Sequence, residues 1–199
     1  MIRCGMLLGL VVASIAFAPA LAQDAAPAST RVALDTSIGP IVIELDPRAP
    51  TTSGNFLRYV DEDRLDGTFF YRSMNLGPAG GLIQGGPSGA PDRVLPAIEH
   101  EPTSQTGLSH VDGAVSMARY EPGTATGDFF IIVGNGMRSL DASAADPGFA
   151  VFGRVVEGMD IVRAILAAPR SPTAGEGVMA GQMLEPRIEI IDARRVDAP

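Results

Sequence analysis

The chain has 199 residues, of which 15 are Lys or Arg and 23 are Asp or Glu, giving a formal net charge of −8. This length fits one domain with a substantial core, and the acidic balance argues against nucleic-acid binding, which requires a basic face. One cysteine and two histidines exclude an internal disulfide and give little support to a zinc site or a Ser-His-Asp triad, although one histidine could still act.

Residues 1–22 have the pattern of a secretory signal peptide. Arg3 supplies a positive start, residues 6–17 are almost entirely apolar, and Ala20-Leu21-Ala22 offers small residues at the positions that a signal peptidase reads. A transmembrane anchor is the alternative, but the apolar run is shorter than the roughly 20 residues that a bilayer span needs. We therefore expect cleavage after Ala22.

Cleavage would remove Cys4 and leave a mature chain without a thiol. A leader rich in Ala, Pro and Ser would follow over 23–30, and a single domain over 31–196. We expect this mature protein to be a periplasmic monomer that binds neither nucleic acid nor, once the signal is cleaved, a membrane.

The first elements are a hairpin and a helix. Alternating apolar residues predict strands over 31–37 and 40–46, joined by the tight turn Ser37-Ile38-Gly39-Pro40. Thr51 or Thr52 can cap a helix that runs to about Asp61.

The same reasoning predicts further strands over 68–73, 82–85, 113–118, 128–133, 149–156 and 187–194, and a second helix over 159–167. Eight strands, two helices and long Gly/Pro loops predict a mainly β protein, a closed eight-stranded antiparallel barrel capped by two α-helices. An open α+β sandwich is the alternative, because periodicity does not distinguish the two.

Glu99-His100-Glu101 could suggest a cluster of metal ligands, but we interpret this segment as a solvated loop rather than a metal site.

Two polar residues lie inside aromatic or apolar strand patterns. Arg72 follows Phe69-Phe70-Tyr71, and Gln84 follows Gly81-Leu82-Ile83 and precedes two glycines. Burying a guanidinium or an amide is costly without partners, so the pattern indicates an apolar groove with a few polar groups aimed into it. The simpler alternatives are an arginine paired with a surface carboxylate, an ordinary strand amide and, for Phe130 downstream, plain core.

In their order along the chain, these segments resemble the cyclophilin family of peptidyl-prolyl isomerases. The matching motifs are Phe70-Tyr71-Arg72, Gln84-Gly85-Gly86, Ser116-Met117-Ala118, Phe129-Phe130-Ile131 and Val151-Phe152-Gly153-Arg154-Val155, and the match extends over 31–194. The resemblance implies that Arg72 and Gln84 are catalytic, and that no cofactor or metal is needed. The substrate-binding residues that it implies are Phe70, Leu82, Met117, Ala118, Arg119, Asp128, Phe130, Leu140 and Phe149.

The chemistry of such a site is the rotation of an Xaa–Pro bond. Its barrier of about 20 kcal/mol comes from the partial double bond of the amide. In the twisted amide the prolyl nitrogen regains a lone pair, and a fixed donor such as Arg72 can bond that lone pair only in the transition state.

Several positions depart from the family pattern. Gly81 replaces the usual pocket Phe, Asp128 replaces the usual Gln, and Ser139 takes the place of a Trp, which predicts weak binding of cyclosporin-type ligands. The stretch between Arg72 and Gln84 is also longer than expected, so the pocket is either open on one side or filled by this loop, with Leu76 as a candidate. Two functions stay open: an isomerase that assists the folding of proline-containing exported proteins, and a peptide-binding module or chaperone with little turnover.

Overall fold

The computed structural model describes residue 1 and residues 30–197, so the predicted signal peptide, apart from Met1, and most of the leader lie outside the described part. None of the helices in that part is long and apolar enough to cross a bilayer. The elements, in chain order, are β1 (Arg31–Thr36), β2 (Gly39–Leu45), α1 (Pro50–Asp61), β3 (Thr68–Asn75), β4 (Gly81–Gly86), α2 (Thr103–Thr106), β5 (Ala114–Met117), β6 (Phe129–Val133), β7 (Ala150–Glu157), α3 (Met159–Ala167) and β8 (Met183–Val196).

The eight strands form a closed barrel in the order β1-β2-β7-β5-β6-β4-β3-β8. Every neighbouring pair is antiparallel. The predicted closed barrel is confirmed and the open sandwich is wrong. The main difference is β8, which begins at Met183 rather than at 187. The helix α2 was not predicted, since a four-residue helix is too short to show a helical period.

The barrel interior is filled by aromatic and aliphatic side chains. Phe56 of α1 lies 5.3 Å from Phe129 and 5.1 Å from Phe152, measured between ring centroids, and Phe70 lies 5.7 Å from Phe129. All four rings are fully buried. Aromatic pairs at these distances gain about 1 kcal/mol beyond the area they bury, so this cluster joins α1 to three strands of the barrel.

The helix α1 is capped from a distant loop. Glu101 Oε1 accepts a hydrogen bond from the Thr51 amide at 3.0 Å, and Oε2 accepts from the Thr52 amide at 2.7 Å and its hydroxyl at 2.6 Å. The predicted cap by a threonine side chain is therefore wrong, and so is the solvated position predicted for Glu101, which is 5% exposed. A carboxylate at this end satisfies free N–H groups and complements the helix dipole.

Candidate active site

A β-bulge at Tyr71 sets the direction of the Arg72 side chain. Phe70 pairs with Gly85 and Arg72 pairs with Gln84, so Tyr71 is the extra residue on β3. Regular alternation would send Arg72 to the same side as Phe70, which is fully buried in the interior. The bulge re-aims Arg72 to the outside of the barrel, where it meets Gln84.

Arg72 is held by two glutamines. Its Nη1 donates to Gln84 Oε1 at 2.8 Å and its Nε donates to Gln182 Oε1 at 2.9 Å. Within the described part of the chain, Nη2 has only the weak acceptor Met74 Sδ at 3.9 Å. No carboxylate is among these partners, so the alternative of an arginine paired with a surface carboxylate is wrong. Burial lowers the pKa of Arg72, but an arginine remains charged in proteins. The guanidinium therefore keeps donor capacity on Nη2.

A second set of polar groups lies behind Gln84. Gln84 Nε2 donates to the Tyr71 hydroxyl at 2.8 Å. Asp128 Oδ1 accepts from the Ser88 amide at 3.0 Å. Burial raises the pKa of Asp128 to about 6, against the opposing effects of the Ser88 amide and the Tyr71 hydroxyl, so Asp128 is mostly charged at neutral pH.

An apolar cluster on the outer face of the barrel adjoins these polar groups. Phe130 is its centre, with the Phe149 ring edge-on at 5.5 Å and the His110 ring stacked at 5.9 Å. Arg72 of β3 pairs with Gln84 of β4, and Gln84 pairs in turn with Phe130 of β6. The guanidinium, the side-chain amide and the aromatic ring therefore lie in one row across three neighbouring strands. The buried members of the cluster are Leu82, Ala114, Phe130, Ile132, Met137 and Val151, with half-buried Met74, Leu108, Val111, Ala118, Leu140 and Phe149 against them.

Most of the predicted site residues lie along this groove. Arg119 places its guanidinium 4.8 Å from the Phe149 ring centroid and donates from Nε to the Gly148 carbonyl at 3.0 Å. Asp128 stands next to Ala118, whose amide donates to the Asp128 carbonyl at 2.9 Å. Together with Arg72 and Gln84, the residues found here are Leu82, Ala118, Arg119, Asp128, Phe130, Leu140 and Phe149.

Two predicted residues lie elsewhere. Phe70 and Met117 belong to the interior cluster and are 0% and 1% exposed. A peptide on the outside of the barrel cannot touch these side chains, so the prediction that Phe70 binds substrate is wrong. Met117 sits within the sheet, opposite Phe129 on one side and Ala150 on the other, and could offer at most its backbone.

The position where the family carries a pocket Phe has no room for a side chain. A Cβ on Gly81 would lie 1.9 Å from the Met74 carbonyl oxygen. Leu76, the residue expected to fill the gap, is 48% exposed and lies outside the cluster. Met74 packs against the cluster instead. Residues 72 and 74 lie on the same face of β3, because side chains alternate along a strand, and this alternation could have identified Met74 from the sequence.

His110 supports the groove from below. Its pKa is lowered by burial, so the ring is neutral, with Nδ1 donating to Asp141 Oδ1 at 2.6 Å and Nε2 accepting from the Ser116 hydroxyl at 2.9 Å. Ser116 and His110 are both fully buried beneath Phe130, so this Ser-His-Asp arrangement presents no accessible nucleophile. Among residues 30–197, no three side chains of metal-binding type come together.

The family model for cyclophilin type peptidyl-prolyl cis-trans isomerase/CLD matches residues 31–193. The chain belongs to the cyclophilin family. It is 38% identical over 150 residues to a peptidyl-prolyl cis-trans isomerase of Acinetobacter baylyi, covering 72% of this chain and 76% of that one. It is 40% identical over 152 residues to the isomerase cyp18 of Streptomyces antibioticus, covering 72% and 87%. The chain is therefore a peptidyl-prolyl cis–trans isomerase, which decides between the two functions left open by the sequence.

Solved cyclophilins have the same fold. A cyclophilin type isomerase of Cryptosporidium parvum superposes with a TM-score of 0.68 at 21% identity, covering 86% of this chain and 99% of that one. A structure of that protein in the presence of the dipeptide Ala-Pro gives the same TM-score at 20% identity. At 20–21% sequence identity, this similarity shows that the barrel fold is the same and says nothing about the side chains of the groove.

Proposed function

We propose that Arg72, Gln84 and Phe130 form the catalytic centre of this cyclophilin, and that it acts in the periplasm on proline-containing exported proteins. The observation that carries the catalytic assignment is the single row across β3, β4 and β6. In this row Arg72, which has no carboxylate partner among residues 30–197, is separated from Phe130 of the aromatic cluster by Gln84.

The proline ring of a substrate is held by Phe130 and Leu82, with Phe149 and Leu140 at the rim. Rotation of the Xaa–Pro bond makes the prolyl nitrogen pyramidal, and Arg72 donates to the lone pair that appears there. Because that bond exists only in the transition state, it lowers the barrier rather than tightening substrate binding. A hydrogen bond from a charged donor is worth about 1.5–3 kcal/mol, which corresponds to roughly 10- to 100-fold in rate.

Gln84 and Gln182 keep Arg72 in place. Each offers a carbonyl oxygen to one nitrogen of the guanidinium, at 2.8 and 2.9 Å. A donor fixed before the reaction needs no reorganisation when the lone pair forms. Asp128, Ala118 and Arg119 extend the groove away from Arg72, and we assign them to the residues that flank the proline.

The periplasmic location is supported by the sequence of residues 1–22 alone. Expression of the full chain in a Gram-negative host, followed by cell fractionation and N-terminal sequencing, tests it. We expect the protein in the periplasmic fraction with Gln23 as its first residue. An uncleaved protein in the cytoplasmic fraction would contradict the proposal.

The catalytic assignment is tested by NMR exchange spectroscopy of an Xaa-Pro-Phe peptide with the mature protein. We expect fast cis–trans exchange with wild type, its loss in Arg72→Ala, and wild-type exchange in Arg195→Ala. The control is matched because Arg195 is a half-exposed arginine on β8 that pairs with Asp61, away from the groove. Exchange that survives Arg72→Ala would overturn the assignment of Arg72.

A further inference from the structure

The donors and acceptors of the site fix the direction of each hydrogen bond. An arginine can only donate, so the Gln84 atom that faces Arg72 Nη1 at 2.8 Å must be the carbonyl oxygen Oε1. The amide nitrogen Nε2 is then directed at the Tyr71 hydroxyl, 2.8 Å away. Tyr71 must accept this bond, so its own proton points away from Gln84.

The Tyr71 hydroxyl lies near a second ionisable group, Asp128. Burial raises the pKa of Tyr71 well above its usual range, so the hydroxyl keeps its proton, and the Ser88 side chain is its other neighbour besides Gln84. Tyr71 in turn stabilises the charged form of Asp128. An amide N–H can only donate, so a lone pair of the Tyr71 hydroxyl must face Gln84 Nε2.

We propose that Tyr71 is a positioning residue, whose hydroxyl accepts a hydrogen bond from Gln84 Nε2 and so holds the amide with Oε1 towards Arg72. Without this acceptor, the amide loses the bond that distinguishes its two ends. It can then turn its Nε2 towards the guanidinium, where two donors face each other and Nη1 loses its partner. This inference rests on the proposed catalytic role of Arg72 and Gln84.

Tyr71→Phe removes the hydroxyl and keeps the ring. Because the loss concerns a donor that acts in the transition state, we expect kcat to fall by about three- to tenfold with KM unchanged. Tyr59→Phe is the matched control. Tyr59 is a fully buried tyrosine whose hydroxyl accepts from the Leu95 amide at 2.8 Å, and its loss should leave kcat unchanged in the folded protein. A wild-type kcat in Tyr71→Phe would overturn the proposal.

A double-mutant cycle separates positioning from a general structural effect. If Tyr71 acts only through Gln84, then Tyr71→Phe should have no further effect on kcat in a Gln84→Leu background. An equal fall in both backgrounds would overturn the proposal. The catalytic assignment is judged separately by Arg72→Ala. If that variant is inactive while the effects of Tyr71→Phe and Gln84→Leu are additive, only the proposed role of Tyr71 is wrong. If Arg72→Ala is active, the proposed roles of Arg72 and of Tyr71 are both wrong.

Discussion

Gln182 and Arg72 are 110 positions apart in the chain and are joined by a hydrogen bond of 2.9 Å between Gln182 Oε1 and Arg72 Nε. Gln182 is itself oriented by a bond of 2.7 Å from its Nε2 to the Val178 carbonyl. The segment before β8 therefore supports the guanidinium from one side, while Gln84 supports it from the other. The site depends on a segment that carries no family motif.

Replacing Gln182 should weaken catalysis without unfolding the protein. In Gln182→Ala, Arg72 keeps Gln84 but gains freedom at Nε. We expect kcat/KM to fall by about two- to fivefold, less than the full worth of a hydrogen bond to a charged group, because Gln84 still holds the guanidinium. The measurement is exchange spectroscopy together with a thermal unfolding curve. Gln105→Ala, at an exposed position of α2, is the control and should match wild type in both. Unchanged activity in Gln182→Ala would show that Gln84 alone fixes Arg72.

Asp128 should make stability depend on pH. Its pKa of about 6 in the folded protein lies above the ordinary value of 3.8, so the folded state favours the protonated acid. The charged form therefore costs stability, and this cost appears as the pH rises from about 4 to about 6. Relative to wild type, Asp128→Asn should be more stable at pH 7.5, by on the order of 2 kcal/mol, and equal to it below about pH 4.

Urea unfolding of both proteins across this pH range measures the difference. Tyr71 and Tyr59 are the titratable neighbours of Asp128, and both stay neutral below pH 8. The lowered pKa of His110 makes the folded protein less stable as pH falls below about 6.5. This effect is the same in wild type and in Asp128→Asn, so it does not contribute to the difference in stability between them. A stability difference that is the same at pH 4 and pH 7.5 would mean that the charge of Asp128 is not the cause.

Glu101 should contribute to stability as the cap of α1. In Glu101→Gln the amide keeps one acceptor oxygen, but the charge is lost and an NH2 group faces the donors of Thr51 and Thr52. We expect the free energy of unfolding to fall by about 1–2 kcal/mol, measured by urea unfolding. Glu99→Gln changes an exposed glutamate of the same loop and should have no effect. Equal results for the two variants would contradict the capping role.

Gly81 should not tolerate a side chain. Its φ is +155°, and a Cβ would lie 1.9 Å from the Met74 carbonyl oxygen, so β3 and β4 would have to separate. We expect Gly81→Ala to lower the free energy of unfolding by more than about 2 kcal/mol. Gly54→Ala, in α1 with open space around its Cβ, should instead stabilise by about 0.5–1 kcal/mol. A stable Gly81→Ala protein would show that the strands shift easily.

The barrel and the centre of the site could be predicted because their signals are local. Alternation identifies each strand, and the aromatic residues before Arg72 and the apolar residues before Gln84 indicate the groove. Phe70 was misplaced because a bulge changes the phase of a strand without changing its composition. Gln182 and Glu101 were missed for another reason: their partners are 110 and about 50 positions away, and nothing near either residue indicates the contact.

The role of Arg72 is tested most directly by measuring peptide binding and bond rotation separately in Arg72→Ala. Titration of an Xaa-Pro-Phe peptide gives its Kd, and exchange spectroscopy at saturating enzyme gives the cis–trans rate of the bound peptide. Because Arg72 bonds the prolyl nitrogen only in the transition state, we expect a Kd within about twofold of wild type and a bound-state rate at least about tenfold lower. A loss of activity explained entirely by weaker binding, with an unchanged bound-state rate, would contradict it.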